Sequence, residues 1–142
     1  MTRSESPLAA TPHAVATFTP YPVRWGHGLV TLRRHVVRLS EVTATEWADA
    51  AELARQFGCA LSGVLDPARV YVAALGTDLD DLPMSFRHLH LHVLPVPESG
   101  ARPREVLTWA HGVYVGTAGE WATLRQATLQ AWTTVLEGPD TT

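Results

Sequence analysis

The sequence contains no Lys, no Asn and no Ile, and a single Cys. Without Lys, a phosphate loop of the Gly-Lys-Ser/Thr kind and Schiff-base chemistry are both excluded. Without Asn there is no N-glycosylation acceptor. One cysteine, Cys59, excludes an internal disulfide and any multi-cysteine zinc or iron–sulfur centre. It falls in the apolar stretch Phe57 to Leu61, which predicts a buried, inert thiol. No apolar run reaches the roughly 18 residues of a membrane span, and Met1 to Pro12 holds no run of signal-peptide length, so a soluble cytoplasmic protein is expected. Positive charge is also scarce. All 11 basic residues are Arg, against 14 Asp and Glu, for a net charge of -3 at pH 7. That balance argues against a general binder of nucleic-acid polymers, whose phosphate contacts need a basic face, and no membrane partner is expected.

What is present suffices for one domain: 142 residues, 46% apolar and 18% charged. Residues 1–12 and 138–142 read as loose tails, leaving a single domain over 13–137. Ala14 to Thr19 and Gly28 to Arg33 are short extended segments joined by the turn-rich Tyr21 to Gly26. Thr43 and Glu46 have capping-box spacing, and Trp47, Ala51, Ala54, Leu61 and Val64 follow at helical spacing as one buried face. Arg69 to Leu75 is a further strand, Gly76 to Phe86 a loop carrying Asp78, Asp80 and Asp81, and Arg87 to Val96 the clearest strand. A short extended piece, Gly112 to Val115, precedes a final helix with Trp121, Leu124, Thr128, Ala131, Trp132 and Val135 on one side. Strands on either side of a central helix predict an α+β fold with a largely antiparallel sheet.

The chemistry concentrates in His88-Leu89-His90-Leu91-His92-Val93-Leu94. Strand alternation puts His88, His90 and His92 on one face and Leu89, Leu91 and Val93 on the other. Seven His in 142 residues would produce three in this pattern by chance in only about 2% of such sequences, so the pattern carries information. Three readings compete. The strand face is polar without a role; or two imidazoles share a zinc, although a third in line is poorly placed to converge on it; or the face performs phosphoryl or nucleotidyl chemistry. In the last, a neutral imidazole is the nucleophile and its neighbours offset phosphate charge.

His88 to Leu94 resembles the histidine-triad pattern of the HIT family of nucleotide hydrolases and transferases. Pro22 to Val30, with Gly26-His27-Gly28-Leu29-Val30, resembles that family's Gly-His-x-Leu-Val strand, and Arg33-Arg34-His35 its basic-basic-His segment. Leu39 to Trp47 resembles the family's entry into its central helix, and the likeness runs in order from about residue 14 to 97. The resemblance implies a small antiparallel sheet under a long central helix, with a C-terminal extension over 98–137. It makes His90 the nucleophile that forms a nucleotidyl-histidine. His88 orients the site, His92 meets the phosphate or leaving group, and His27 is bonded within the triad. Ser85 matches the hydroxyl placed near the scissile phosphate. A third His rather than Gln goes with the hydrolase branch. Substrates of the dinucleoside polyphosphate or nucleoside phosphoramidate type are implied, as is a homodimer. No cofactor or metal is required, with Mg at most a substrate counterion. A nucleotide-binding module with little turnover is the alternative.

Several positions depart from the family pattern. Thr19 stands where Asp or Asn binds the ribose hydroxyls, Thr77 where Asn or Gln is expected, and Met84, after Pro83, where nucleotide hydrolases have Gln. His35 reads as a solvated residue, and His13 and His111 receive no role. The triad is kept while the nucleoside contacts change.

Overall fold

The computed structural model describes residues 6–74, 88–106 and 116–138. Five strands, β1 (Ala9–Ala10), β2 (Ala14–Phe18), β3 (Gly28–Leu32), β4 (Arg69–Ala74) and β5 (His90–Val96), form one antiparallel sheet in the order β1-β2-β3-β5-β4. Helix α1 (Ala44–Leu65) lies between β3 and β4 in the chain, α2 (Pro103–Val106) follows β5, and α3 (Ala118–Glu137) comes last. The α+β fold expected from the sequence is the fold observed.

Helix α1 begins where the sequence places it. The Thr43 hydroxyl accepts from the Glu46 N–H at 3.1 Å and the Glu46 carboxylate accepts from the Thr43 N–H at 3.0 Å, closing the capping box. Arg34 grips the same carboxylate at 2.8 Å, and with the Thr43 bonds this pulls Glu46 down to about 2. The buried stripe of α1 runs through Ala50, Leu53, Ala54, Phe57, Ala60 and Leu61. Trp47 and Ala51, expected in it, lie round the helix on the exposed side, with Trp47 40% exposed. The phase is set by the Leu53–Phe57–Leu61 row, which outweighs the one Trp. Cys59 corrects a second expectation: its thiol is exposed, because Ala60 and not Cys59 continues the stripe.

The apolar stripe packs on Ala14, Ala16, Val30, Leu91 and Val93 of the sheet, and α3 completes this core with Trp132. Trp132 meets the Phe57 ring at 5.1 Å and donates its indole N–H to Gln56 Oε1 at 3.1 Å. Thr128, the polar interruption on that face, is buried and satisfied by donating to the Leu124 carbonyl at 2.7 Å. The chain is ordered from further upstream than its composition suggests. Leu8 is buried, Ala9–Ala10 pairs with β2, and the Thr11 hydroxyl and His13 N–H both bond the Asp49 carboxylate on α1. The expected extended piece at residues 112–115 lies outside the described residues.

Two glycines admit close approaches that position the histidines. A Cβ on Gly28 would enter the Phe57 ring, so Gly28 lets α1 seat directly on β3. Gly26 has φ +85°, and a Cβ there would lie 2.8 Å from Leu65 and 2.9 Å from Pro95. The turn before His27 is thereby wedged between the end of α1 and the end of β5. The opposite face of the sheet carries the histidines and a small second cluster, in which Leu94, Val96 and α2's Val106 pack with Val23 and Tyr71.

Candidate functional site

The register sets the site. Leu29 of β3 pairs with His92 and Thr31 with His90, so these four side chains share the face away from α1. His27, two residues before Leu29, points the same way. Both faces of β5 are covered, and His27, His90 and His92 are all buried.

Hydrogen bonds join these rings into a chain whose direction two backbone groups dictate. The Val23 N–H can only donate, and it does so to His27 Nδ1 at 3.0 Å. The His27 proton therefore sits on Nε2, which donates to His92 Nδ1 at 2.8 Å. His92 in turn carries its proton on Nε2 and donates to His90 Nε2 at 3.1 Å. At the far end, His90 Nδ1–H donates to the His88 carbonyl at 2.8 Å. Every link agrees with neutral rings. Burial, with His92 and His90 adding to it, pushes His27 down to about 3. Burial and then His90 push His92 down to about 4. Burial also lowers His90, against the upward pull of the His88 carbonyl. The result is a neutral imidazole whose Nε2 holds a lone pair and whose Nδ1–H is tied to a carbonyl, which raises the basicity of Nε2.

His88 does not line up as a third ring of the strand face. The β3–β5 ladder ends at Thr31–His90, and His88 lies beyond it. Its Nε2–H donates to the Leu32 carbonyl at 2.7 Å, and its Nδ1 accepts from the Val36 N–H at 3.1 Å. Both ring nitrogens are engaged by backbone, and the His88 carbonyl accepts from His90 Nδ1–H. His35, read from the sequence as a solvated residue, is exposed but stacks on His88, with centroids 4.9 Å apart and planes 15° from parallel. Its approach follows from the register, since Thr31 opposite His90 brings the residues after β3 alongside His88. No sequence periodicity shows it.

Thr19 sits half-buried just past β2. Its hydroxyl accepts from the Tyr21 N–H at 3.1 Å, and its own N–H donates to the His27 carbonyl at 3.2 Å. Its oxygen is thus partly engaged, leaving one donor for a ligand. Ser85, Thr77 and Met84, together with the three Asp of that segment, lie outside the described residues. An open groove of about 540 Å³ lies elsewhere, against Pro12, His13, Thr45, Asp49 and Glu52. It is shallow, and its Asp49 is already bonded to Thr11 and His13. Among the described residues, no three His, Cys, Asp or Glu side chains gather as a metal-binding group.

The family profile described as HIT domain matches residues 4–98. An uncharacterized HIT-like protein of Mycoplasma genitalium is 33% identical over 89 residues, which cover 62% of this chain and 61% of that protein. The chain therefore spans under two thirds of that relative's length. A hypothetical histidine triad nucleotide-binding protein of Sulfolobus tokodaii shares the fold with a TM-score of 0.70, at 16% identity over 90% of this chain and 83% of that one. A diadenosine triphosphate hydrolase of Plasmodium falciparum, solved with cyclomarin A, does so with a TM-score of 0.61, at 12% identity over 96% and 80%.

Proposed function

The chain belongs to the HIT family, and from that premise we propose that it hydrolyses P–O–P or P–N bonds of small nucleotides through a nucleotidyl intermediate on His90. Dinucleoside polyphosphates and nucleoside phosphoramidates are the substrate classes. The observation that carries this reading is the directed hydrogen-bond chain from Val23 through His27 and His92 to His90. Of the three lone-pair nitrogens in the chain, those of His27 and His92 accept from Val23 and His27. His90 Nε2 is the terminal acceptor, in a buried and preorganised place where phosphorus can displace the His92 donor.

The steps follow from that polarity. The His90 Nε2 lone pair attacks the α-phosphorus, and the bond to the leaving group breaks with its electron pair going to that group. An amine leaving group takes its proton from water. The His92 Nε2–H, released from His90 as phosphorus arrives, bonds a phosphoryl or leaving-group oxygen and offsets charge there. The phosphorylated ring is cationic, its Nδ1–H held by the His88 carbonyl, and is a good leaving group. Water then attacks phosphorus, the electron pair returns to Nε2, and the water's proton passes to solvent.

In the same reading His27 positions His92, and Thr19 and Ser85 meet the substrate. Thr77 and Met84 stand where other members contact the nucleoside. No cofactor or metal is required, with Mg serving only to neutralise a polyphosphate. The partner is a small molecule rather than a nucleic-acid polymer or a membrane, consistent with the net charge of -3. Among the described residues no helix is long and apolar enough to cross a bilayer. The exposed Cys59 thiol suits the reducing cytoplasm. A homodimer is supported by β4, a six-residue apolar edge strand with Val72 half exposed, which is a template for pairing.

One observation favours a binding module of little turnover instead: in the free protein the His90 lone pair is already engaged by His92. Product analysis with adenosine 5′-phosphoramidate and diadenosine triphosphate separates the two. Hydrolysis is expected with the wild type and is lost in His90→Ala, while AMP still raises the melting temperature of that variant. His92→Ala should retain more activity, losing about 10²–10⁴-fold. Stabilisation by AMP without turnover in the wild type would establish the binding module.

A further inference from the structure

The chain ahead of β5 depends on contacts outside the sheet. The His88 carbonyl must stay fixed, because it holds the His90 Nδ1–H and so decides which nitrogen faces the substrate. The β3–β5 ladder does not reach it, ending at Thr31–His90. Three bonds replace the ladder: His88 Nε2–H to the Leu32 carbonyl at 2.7 Å, the Val36 N–H to His88 Nδ1 at 3.1 Å, and the Leu89 N–H to the Val36 carbonyl at 2.6 Å. The His88 ring is only half-buried, so water can compete for the first two. His35 lies over one face of that ring, stacked flat on it at 4.9 Å. Its neighbours Arg33 and Arg34 are turned to other partners, Arg33 to the Thr11 carbonyl and Arg34 to Glu46.

We propose that His35 is a positioning residue, whose ring shields the His88 lacing and thereby holds His90 with Nε2 presented. This rests on the nucleotidyl-histidine reading, in which presentation of Nε2 sets the rate. The contribution belongs to the flat ring, not to a proton, so a phenyl group should replace it. His35 does not touch the reacting atoms, and its loss should lower kcat and leave KM in place. An aromatic contact of this kind corresponds to a loss of about 2- to 12-fold.

Two measurements test this on the full-length wild type, His35→Ala and His35→Phe. Steady-state kinetics with adenosine 5′-phosphoramidate should show kcat reduced about 2- to 12-fold in His35→Ala, with KM unchanged within about twofold. His35→Phe should recover kcat to within about twofold of the wild type. Proton NMR of the ligand-free proteins should show the His90 Nδ1–H resonance protected in the wild type and His35→Phe. It should be broadened by solvent exchange in His35→Ala. An unchanged resonance in His35→Ala overturns the proposal, as does a rise in KM at constant kcat, which would make His35 a substrate contact. Failure of His35→Phe to rescue also overturns it, since the imidazole itself would then matter. If the wild type does not turn over, the proposed function fails while the ligand-free resonance still decides the role of His35.

Discussion

Lowering the pH from 7.5 to 5 should destabilise the fold through the buried imidazoles, and the size of the effect can be worked out. His27 and His92 ionise at about 3 and about 4 in the folded protein, against 6.5 in the unfolded chain. A depressed imidazole leaves stability intact above the unfolded value. Stability is then lost as pH falls below 6.5, where only the unfolded chain takes up protons. At pH 5 each of the two rings costs about 2 kcal/mol by this linkage, so together about 4 kcal/mol. His90, also lowered, adds in the same direction. The carboxylates Glu46, Glu52, Glu98 and Glu120 are lowered from 4.5, so their contribution is lost only at lower pH and the window isolates the histidines. Domains of this kind have about 5–15 kcal/mol in hand, so the loss should be visible as a fall of about 10–20 °C in Tm. Urea unfolding at a series of pH values should show uptake of roughly two protons near pH 5. Per-residue histidine titration by NMR would check the assignment. A flat stability between pH 7.5 and 5, or native titration of His27 and His92 near 6.5, would refute the neutral chain.

Other outcomes follow from single positions. Ribo- and 2′-deoxyribonucleotide substrates should differ by less than about tenfold in kcat/KM, because the Thr19 oxygen is partly engaged by Tyr21. Thr19→Asp should widen that gap in favour of ribose, and a wild-type preference above about a hundredfold would show that another residue reads the sugar. Gly28→Ala should destabilise by about 1–3 kcal/mol or more in urea unfolding, since the added Cβ enters the Phe57 ring; wild-type stability would show that the α1 seat is looser than described. Activity should survive a zinc-selective chelator, and inactivation reversed by zinc alone would instead establish a metal centre.

The pairing of His90 and His92 on one face was legible because strand alternation is local and needs no tertiary information. The start of α1 was legible for the same reason, as its capping box lies within four residues. The place of the His88 ring was not, because the ladder stops two residues short of it and the segment 32–36, distant in sequence, claims its ring. Trp47 and Cys59 misled because the phase of a helix stripe depends on which large residues the sheet receives, here Leu53, Phe57 and Leu61. Ala9–Ala10 carries no alternation at all, and only its pairing with β2 reveals a strand. The inward role of His27 was legible only through the family resemblance, since its bond to His92 spans 65 residues.

The covalent intermediate is the most direct test. The wild-type protein would be mixed with adenosine 5′-phosphoramidate, quenched in alkali within milliseconds, digested and mapped by mass spectrometry. The account predicts a single adenylyl group, stable to alkali and labile to acid, on His90 and absent from His90→Ala. Product formation with no adduct at any quench time, or an adduct on His88 or His92 in place of His90, would contradict it.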